Sequence, residues 1–239
     1  MISAELLNRF YPNDGGDGAV KFYGWIRQNI KPSTVLLNLG AGPPANRGKI
    51  RVLRGEVAKV VGADIDPEVM HNPDVDEAHV IGPDGRLPFS DSSFDMAISD
   101  WVLEHVKTPG QFLSEVCRVL KPGGSFFFRT PNKNHYVALI ARCTPEWFHN
   151  LVANRARGYP PGEHEPWPTF YRLNSRKEIE REARSAGFKQ IEIRIEEFRP
   201  GYLVFNSVPF LLGVGYERIV NRYQSLEAIR GSILAKVTK

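Results

Sequence analysis

Short apolar runs that stop at glycine or aspartate recur along the chain, and between them apolar residues fall at helical spacing. Thr34-Val-Leu-Leu-Asn-Leu39 is short, β-branched at its start and closed by Gly40-Ala-Gly42, the pattern of a buried parallel strand running into a tight turn. Ahead of it, Val20 to Ile30 shows helical spacing and stops at Lys31-Pro32. Further strands are predicted at Ala58–Ala63 with Asp64 at its end, at Glu77–Ile81, at Phe94–Ser99 and at Ser125–Thr130. Phe112, Leu113, Val116, Val119 and Leu120 form one apolar stripe of a helix. Thr108-Pro-Gly-Gln111 opens that helix as a capping box with proline at its first position, and Lys121-Pro-Gly-Gly124 closes it. A second capping box, Ser175-Arg-Lys-Glu178, starts a helix that ends at Gly187. In Gln190–Glu196, Ile191, Ile193 and Ile195 face one way and Glu192, Arg194 and Glu196 the other, as in a half-exposed strand near a sheet edge. Ser232 to Val237 is the last strand.

Strands that alternate with helices imply an α/β fold with a doubly wound sheet. Two stretches break the alternation. Residues 132–173 are rich in aromatics, proline and arginine and read as a lid-like insertion; residues 198–230 are apolar, interrupted by Pro209, Gly213 and Gly215, and read as an insertion before the last strand. The whole of 1–239, both insertions included, is expected to form a single domain. The 239 residues can bury a sizeable core, and 42% hydrophobic with 24% charged residues excludes a disordered or multi-span membrane chain. A net charge of +4 is too small to imply a nucleic-acid partner. Cys117 and Cys143 have no C-x-x-C spacing, so neither a disulfide framework nor a thiolate metal site is expected. Met1 to Phe10 carries Glu5 and no long apolar run, so no secretory signal is expected and the cytoplasm is the default compartment.

The turn Asn38-Leu-Gly-Ala-Gly-Pro-Pro44 can bring backbone close to a ligand, with the next helix N-terminus aimed at it. A glycine turn alone also fits a plain strand-to-helix connection. Asp64, about 20 residues on at the end of the second strand, stands where dinucleotide-type sites bind ribose hydroxyls.

Five blocks, Val35–Pro43, Val60–Pro67, Leu87–Asp95, Val102–Val106 and Arg118–Gly124, stand in an order and spacing that resembles the class I S-adenosylmethionine-dependent methyltransferases, most closely their small-molecule branch. The resemblance covers residues 34 to 130. It implies a Rossmann-like, seven-stranded, mostly parallel sheet with strand seven antiparallel. It implies that S-adenosyl-L-methionine lays its methionine part over Gly40, Ala41 and Gly42. Asp64, beside Ile65, would hold the ribose. Asp84 and Gly85 would reach the adenine, with Leu87 and Phe89 packing nearby, and Asp100 and Trp101 would face the methionine end or the acceptor. Three departures stand out: Asn38 where the family usually has a carboxylate that orients the methionine amino group, Pro44 where it has a third glycine, and Asp84 one residue closer to Leu87.

Methyl transfer from a sulfonium needs alignment, no metal, and a base only where the acceptor must lose a proton. His105 and His135 are the base candidates; the alternative is that Glu104 and His105 cap the next helix and shape the pocket, and that His135 has a structural role. Tyr136, Trp167 and Tyr171 are expected to line the acceptor pocket, where aromatic faces suit a sulfonium cation. His164 lacks companions at metal spacing, so a metal site is not expected. The uncharged run from Pro200 to Tyr216 is too short to span a membrane and suits a buried cover, a homodimer contact or peripheral membrane contact. The reading that follows is methylation of a small metabolite, glycan or lipid, on oxygen. The competing readings are a protein or nucleic-acid methyltransferase, a cofactor-binding protein without catalysis, and a nicotinamide dehydrogenase. The last fits the turn but not the Leu87–Asp95 block.

Overall fold

A computed structural model describes residues 2–43, 48–143 and 168–239. Seven strands form one sheet: β1 (Val35–Leu39), β2 (Lys59–Asp64), β3 (Glu77–Val80), β4 (Phe94–Asp100), β5 (Leu120–Pro131), β6 (Gln190–Glu196) and β7 (Ser232–Thr238). Their order is β3-β2-β1-β4-β5-β7-β6. The β3-β2, β2-β1, β1-β4 and β4-β5 pairs are parallel. Gly123 bonds Lys239 while Asn132, at the other end of β5, bonds Gly231, so β7 runs antiparallel to β5. The predicted architecture is therefore the observed one, and the alternating β6 is an edge strand.

Contacts divide the chain into two compact units. The first comprises 21–130, 169–194 and 233–239 and holds most of the sheet. Here β5 shows why its sequence is apolar without alternation. Phe126 packs on Phe128 and on Phe112 of α3 (Pro109–Val119), while Phe127 packs on Trp25 of α2 (Gly18–Arg27). Helices cover both faces, so Phe126, Phe127 and Phe128 are all buried. The amphipathic α5 (Arg176–Ser185) buries Ile179 and Ala183, and its capping box forms as predicted: Ser175 Oγ accepts from the Glu178 amide. The box at α3 does not. Thr108 occupies the N-cap position without a side-chain cap bond, and its hydroxyl instead donates to Gln111 Oε1 at 3.4 Å. The expected stop at Lys121–Gly124 is also shifted: α3 ends at Val119 and these residues already belong to β5.

The second unit comprises 1–20, 131–168 and 195–232. It thus gathers most of both stretches that broke the alternation, together with α1 (Ala4–Phe10), whereas residues 169–173 belong to the first unit. Its core is Tyr11, Phe210 and Val214, flanked by Leu6, Leu7 and Phe10 of α1. Pro209 and two glycines did not prevent a 16-residue helix, α6 (Ser207–Arg222). Asn206 caps it, Pro209 falls in the first turn where its missing N–H costs little, and a Cβ at Gly213 would lie 2.6 Å from Pro200 Cβ. One side of α6 buries Phe210, Val214 and Val220; Val208, Leu211, Leu212 and Ile219 are exposed on the other. Among the described residues no helix is long and apolar enough to cross a membrane. The remaining described helix, α4 (Tyr136–Cys143), follows the end of β5.

Candidate functional site

The parallel pairing of β1 with both β2 and β4 brings three strand ends together, and the loops that leave them form one polar cluster in the first unit. Gly40 and Gly42 turn the chain away from β1 with φ of 75° and 63°, a region open to glycine at little cost. The Gly40 amide bonds the Ala63 carbonyl. Asp64, at the end of β2, holds the other half of the turn: its Oδ2 accepts from the Gly42 amide at 2.7 Å and its Oδ1 from the Asp66 amide at 2.9 Å. Each carboxylate oxygen keeps lone-pair capacity beyond these bonds, enough for two further hydroxyl donors. Ile65 beside it is exposed. Asn72 latches the same turn from the far side, donating through Nδ2 to the carbonyls of Ala41 and Gly42, both at 3.0 Å. Sequence reasoning missed Asn72; the short helical turn Pro67–His71 that delivers it carries no periodic signal.

A cavity lies over this turn, lined among others by Tyr23, Asn38, Gly40, Ala41, Arg51 and Asp100. Asp100 ends β4 and is gripped by Arg129 of β5, Nε to Oδ1 at 2.7 Å and Nη2 to Oδ2 at 2.9 Å. Arg51 approaches Oδ2 from the other side, at 3.1 Å. The Arg129 guanidinium lies 5.7 Å from the Phe22 ring centre and 5.2 Å from that of Trp101. Trp101 itself has φ of 61°, a conformation that costs a side chain about 1–3 kcal/mol and that clusters at functional sites. Its amide bonds the Arg129 carbonyl.

Just beyond, Glu104 is buried. Its Oε2 accepts from Thr130 Oγ1, which in turn accepts from Asn174 Nδ2 at 2.8 Å. Burial pushes the Glu104 carboxyl up to about 7; the Thr130 bond and Arg129 oppose the shift, and Asp100 adds to it. Oε1 stands 3.9 Å from Nε2 of His105, whose side chain is about one-third exposed. The Glu104 carbonyl accepts from Phe170 and Tyr171, which places Tyr171 beside this pair.

The remaining site candidates make their own local contacts. Asp84 and Gly85 lie in an exposed bend, with the Asp84 carbonyl accepting from Gln111, and Asp84 lines a different depression with Arg86, Phe89 and Arg118. His135 and Tyr136 belong to the second unit. There His135 is buried, its Nε2 is 3.2 Å from Glu197 Oε2, and its ring sits 4.1 Å from that of Tyr136. Glu197 Oε2 also accepts from the Gly231 amide at 2.6 Å. Burial first, and then the Glu197 charge, raise the Tyr136 hydroxyl to about 12. Trp167, Pro44 and His164 lie outside the described residues. Among the described residues no group of three His, Cys, Asp or Glu side chains could hold a metal.

Residues 37–128 match a family model described as a methyltransferase domain. The chain is 26% identical to a ubiquinone biosynthesis O-methyltransferase of Hydrogenovibrio crunogenus over 198 residues, 77% of this chain and 76% of that protein. It is 27% identical to a malonyl-acyl-carrier-protein O-methyltransferase of Methylococcus capsulatus over 183 residues, 74% of this chain and 60% of that one. The chain spans about a third of the length of two other curated relatives that it matches. In fold it is similar to a solved S-adenosylmethionine-dependent methyltransferase from Archaeoglobus fulgidus, with a TM-score of 0.54 at 14% identity, covering 99% of this chain and 100% of that one.

Proposed function

This chain belongs to the class I S-adenosylmethionine-dependent methyltransferases, and we propose that it uses that cofactor to methylate a hydroxyl oxygen of a small-molecule acceptor. The observation that carries the reading is the turn at Gly40–Gly42, fastened to Asp64 and open to a cavity. Its donor set fits the cofactor: two positive-φ glycines give close backbone approach, Asp64 retains acceptor capacity for two ribose hydroxyls, and Arg51, Asp74 and Asp100 line the cavity. When bound, S-adenosylmethionine supplies a methyl group already activated on a sulfonium. The chain's own work is then to hold the cofactor by Asp64, to position the acceptor, and to take up a proton.

For the proton we assign His105, with Glu104 behind it. His105 follows the same strand end as Asp100 and Trp101, and its ring is partly open to solvent. His135 is assigned a structural part, because its buried ring is engaged with Glu197 and Tyr136. Oxygen as the methylated atom is supported by the two relatives named as O-methyltransferases. The same assignment includes Tyr171, held beside Glu104, as an acceptor contact.

The test uses methyl-labelled cofactor and a small-molecule extract, with protein and nucleic-acid fractions alongside. Label in an O-methylated small molecule supports the proposal; label confined to protein or nucleic acid overturns it. A thermal shift with S-adenosylhomocysteine and none with NAD separates the reading from a dehydrogenase.

A further inference from the structure

The charged lining of the cavity departs from a simple exchange of charges. Position 38 carries a neutral amide, so β1 offers no carboxylate to an ammonium. Among the described residues two carboxylates line the cavity, Asp74 and Asp100, and Asp100 ends the neighbouring strand β4. Asp100 already has a full partner in Arg129, which is bidentate and whose side chain is only 4% exposed. Arg51 is therefore a second guanidinium on one carboxylate. It comes from the short turn Lys49–Arg51, its side chain is 32% exposed, and it adds one contact at 3.1 Å. At Asp100 two guanidiniums thus meet one carboxylate, and Asp74 is the other acidic residue lining the cavity. A guanidinium in that setting presents a planar fork that matches a carboxylate.

We propose that Arg51 is a specificity-determining residue that pairs with the α-carboxylate of the cofactor's amino-acid end, while Asp100 takes the ammonium that Asn38 cannot. This deepens the cofactor reading above and rests on it. The ligand inserts between partners already poised for it: Arg51 turns its fork from Asp100 to the incoming carboxylate, and Asp100, still held by Arg129, keeps a lone pair for the ammonium. Arg129 cannot fill the same part, because it is buried between two rings and committed to Asp100.

The experiment is a calorimetric titration of wild type, Arg51→Met and Arg51→Lys with two ligands. One is S-adenosylhomocysteine. The other is 5′-methylthioadenosine, which has the nucleoside and thioether but no amino-acid end. Arg51→Met should weaken S-adenosylhomocysteine at least tenfold and leave methylthioadenosine within twofold. Arg51→Lys, which keeps the charge without the fork, should recover part of the loss. Equal weakening of both ligands, or unchanged S-adenosylhomocysteine affinity in Arg51→Met, overturns the assignment of Arg51 alone. A wild-type protein that binds neither ligand overturns the cofactor reading and this assignment with it.

Discussion

Glu104→Gln isolates what it costs to keep a carboxyl group buried behind His105. The side chain is 5% exposed and titrates near 7 rather than at its ordinary 4.5, chiefly through burial. Folding therefore favours the protonated form. The stability this carboxyl contributes is full below pH 4.5 and is lost as pH rises towards 7. Each pH unit between the two values is worth about 1.36 kcal/mol, so wild type should lose about 2–3 kcal/mol from this group between pH 5 and pH 8. Glutamine matches the protonated shape and keeps an oxygen to accept from Thr130. The two proteins should be of similar stability at pH 5. At pH 8 the variant should be more stable by about 2–3 kcal/mol, a melting difference of roughly 5–10 °C for a chain of this size. Urea unfolding of both proteins at several pH values reads the difference directly, and every other titrating group cancels. Parallel curves across the range would refute the argument, since they would mean that Glu104 ionises in the folded chain as easily as in the unfolded one.

Asp64→Ala should weaken S-adenosylhomocysteine binding tenfold or more by calorimetry, about 1.4 kcal/mol, while circular dichroism shows the fold intact. Gly40→Ala drives a Cβ into Val102 Cγ2 at a φ of 75°. It should destabilise by about 1–3 kcal/mol in urea unfolding, with Val102→Ala restoring part of the loss. Asn72→Ala removes two bonds to the turn carbonyls and should weaken the same ligand by roughly tenfold, at about 0.5–1.5 kcal/mol per bond. His105→Asn should lower kcat for an oxygen acceptor by about 10²–10⁴ and leave cofactor affinity unchanged in a binding titration.

The sheet was legible because period and burial agree in its strands. The apolar β1, β4 and β5 are covered on both faces, and the alternating β6 has one face and one edge free. Turn residues with a chemical reason, Gly40, Gly42 and Asp64, were equally readable, since positive φ and a strand-end carboxylate leave a direct mark in the sequence. Residues that reach the site through space left none. Arg51 and Asn72 come from short helical turns with no period, and only the fold carries them to the glycine turn. The glycines and Pro209 of α6 suggested an interruption, but Gly213 is there to let Pro200 approach, a tertiary reason invisible in a linear reading. Glu104 was read as a cap; its burial beneath Thr130 and Asn174 depends on the end of β5 and on a segment about 70 residues later.

The proposed cofactor seat is the Gly40–Gly42 turn with Asp64. A crystal structure of the chain grown with S-adenosylhomocysteine tests it most directly. The ribose hydroxyls should lie within hydrogen-bonding distance of both Asp64 carboxylate oxygens, with the amino-acid end over Gly40–Gly42. Density for the ligand elsewhere, or none at saturating concentration, would contradict it.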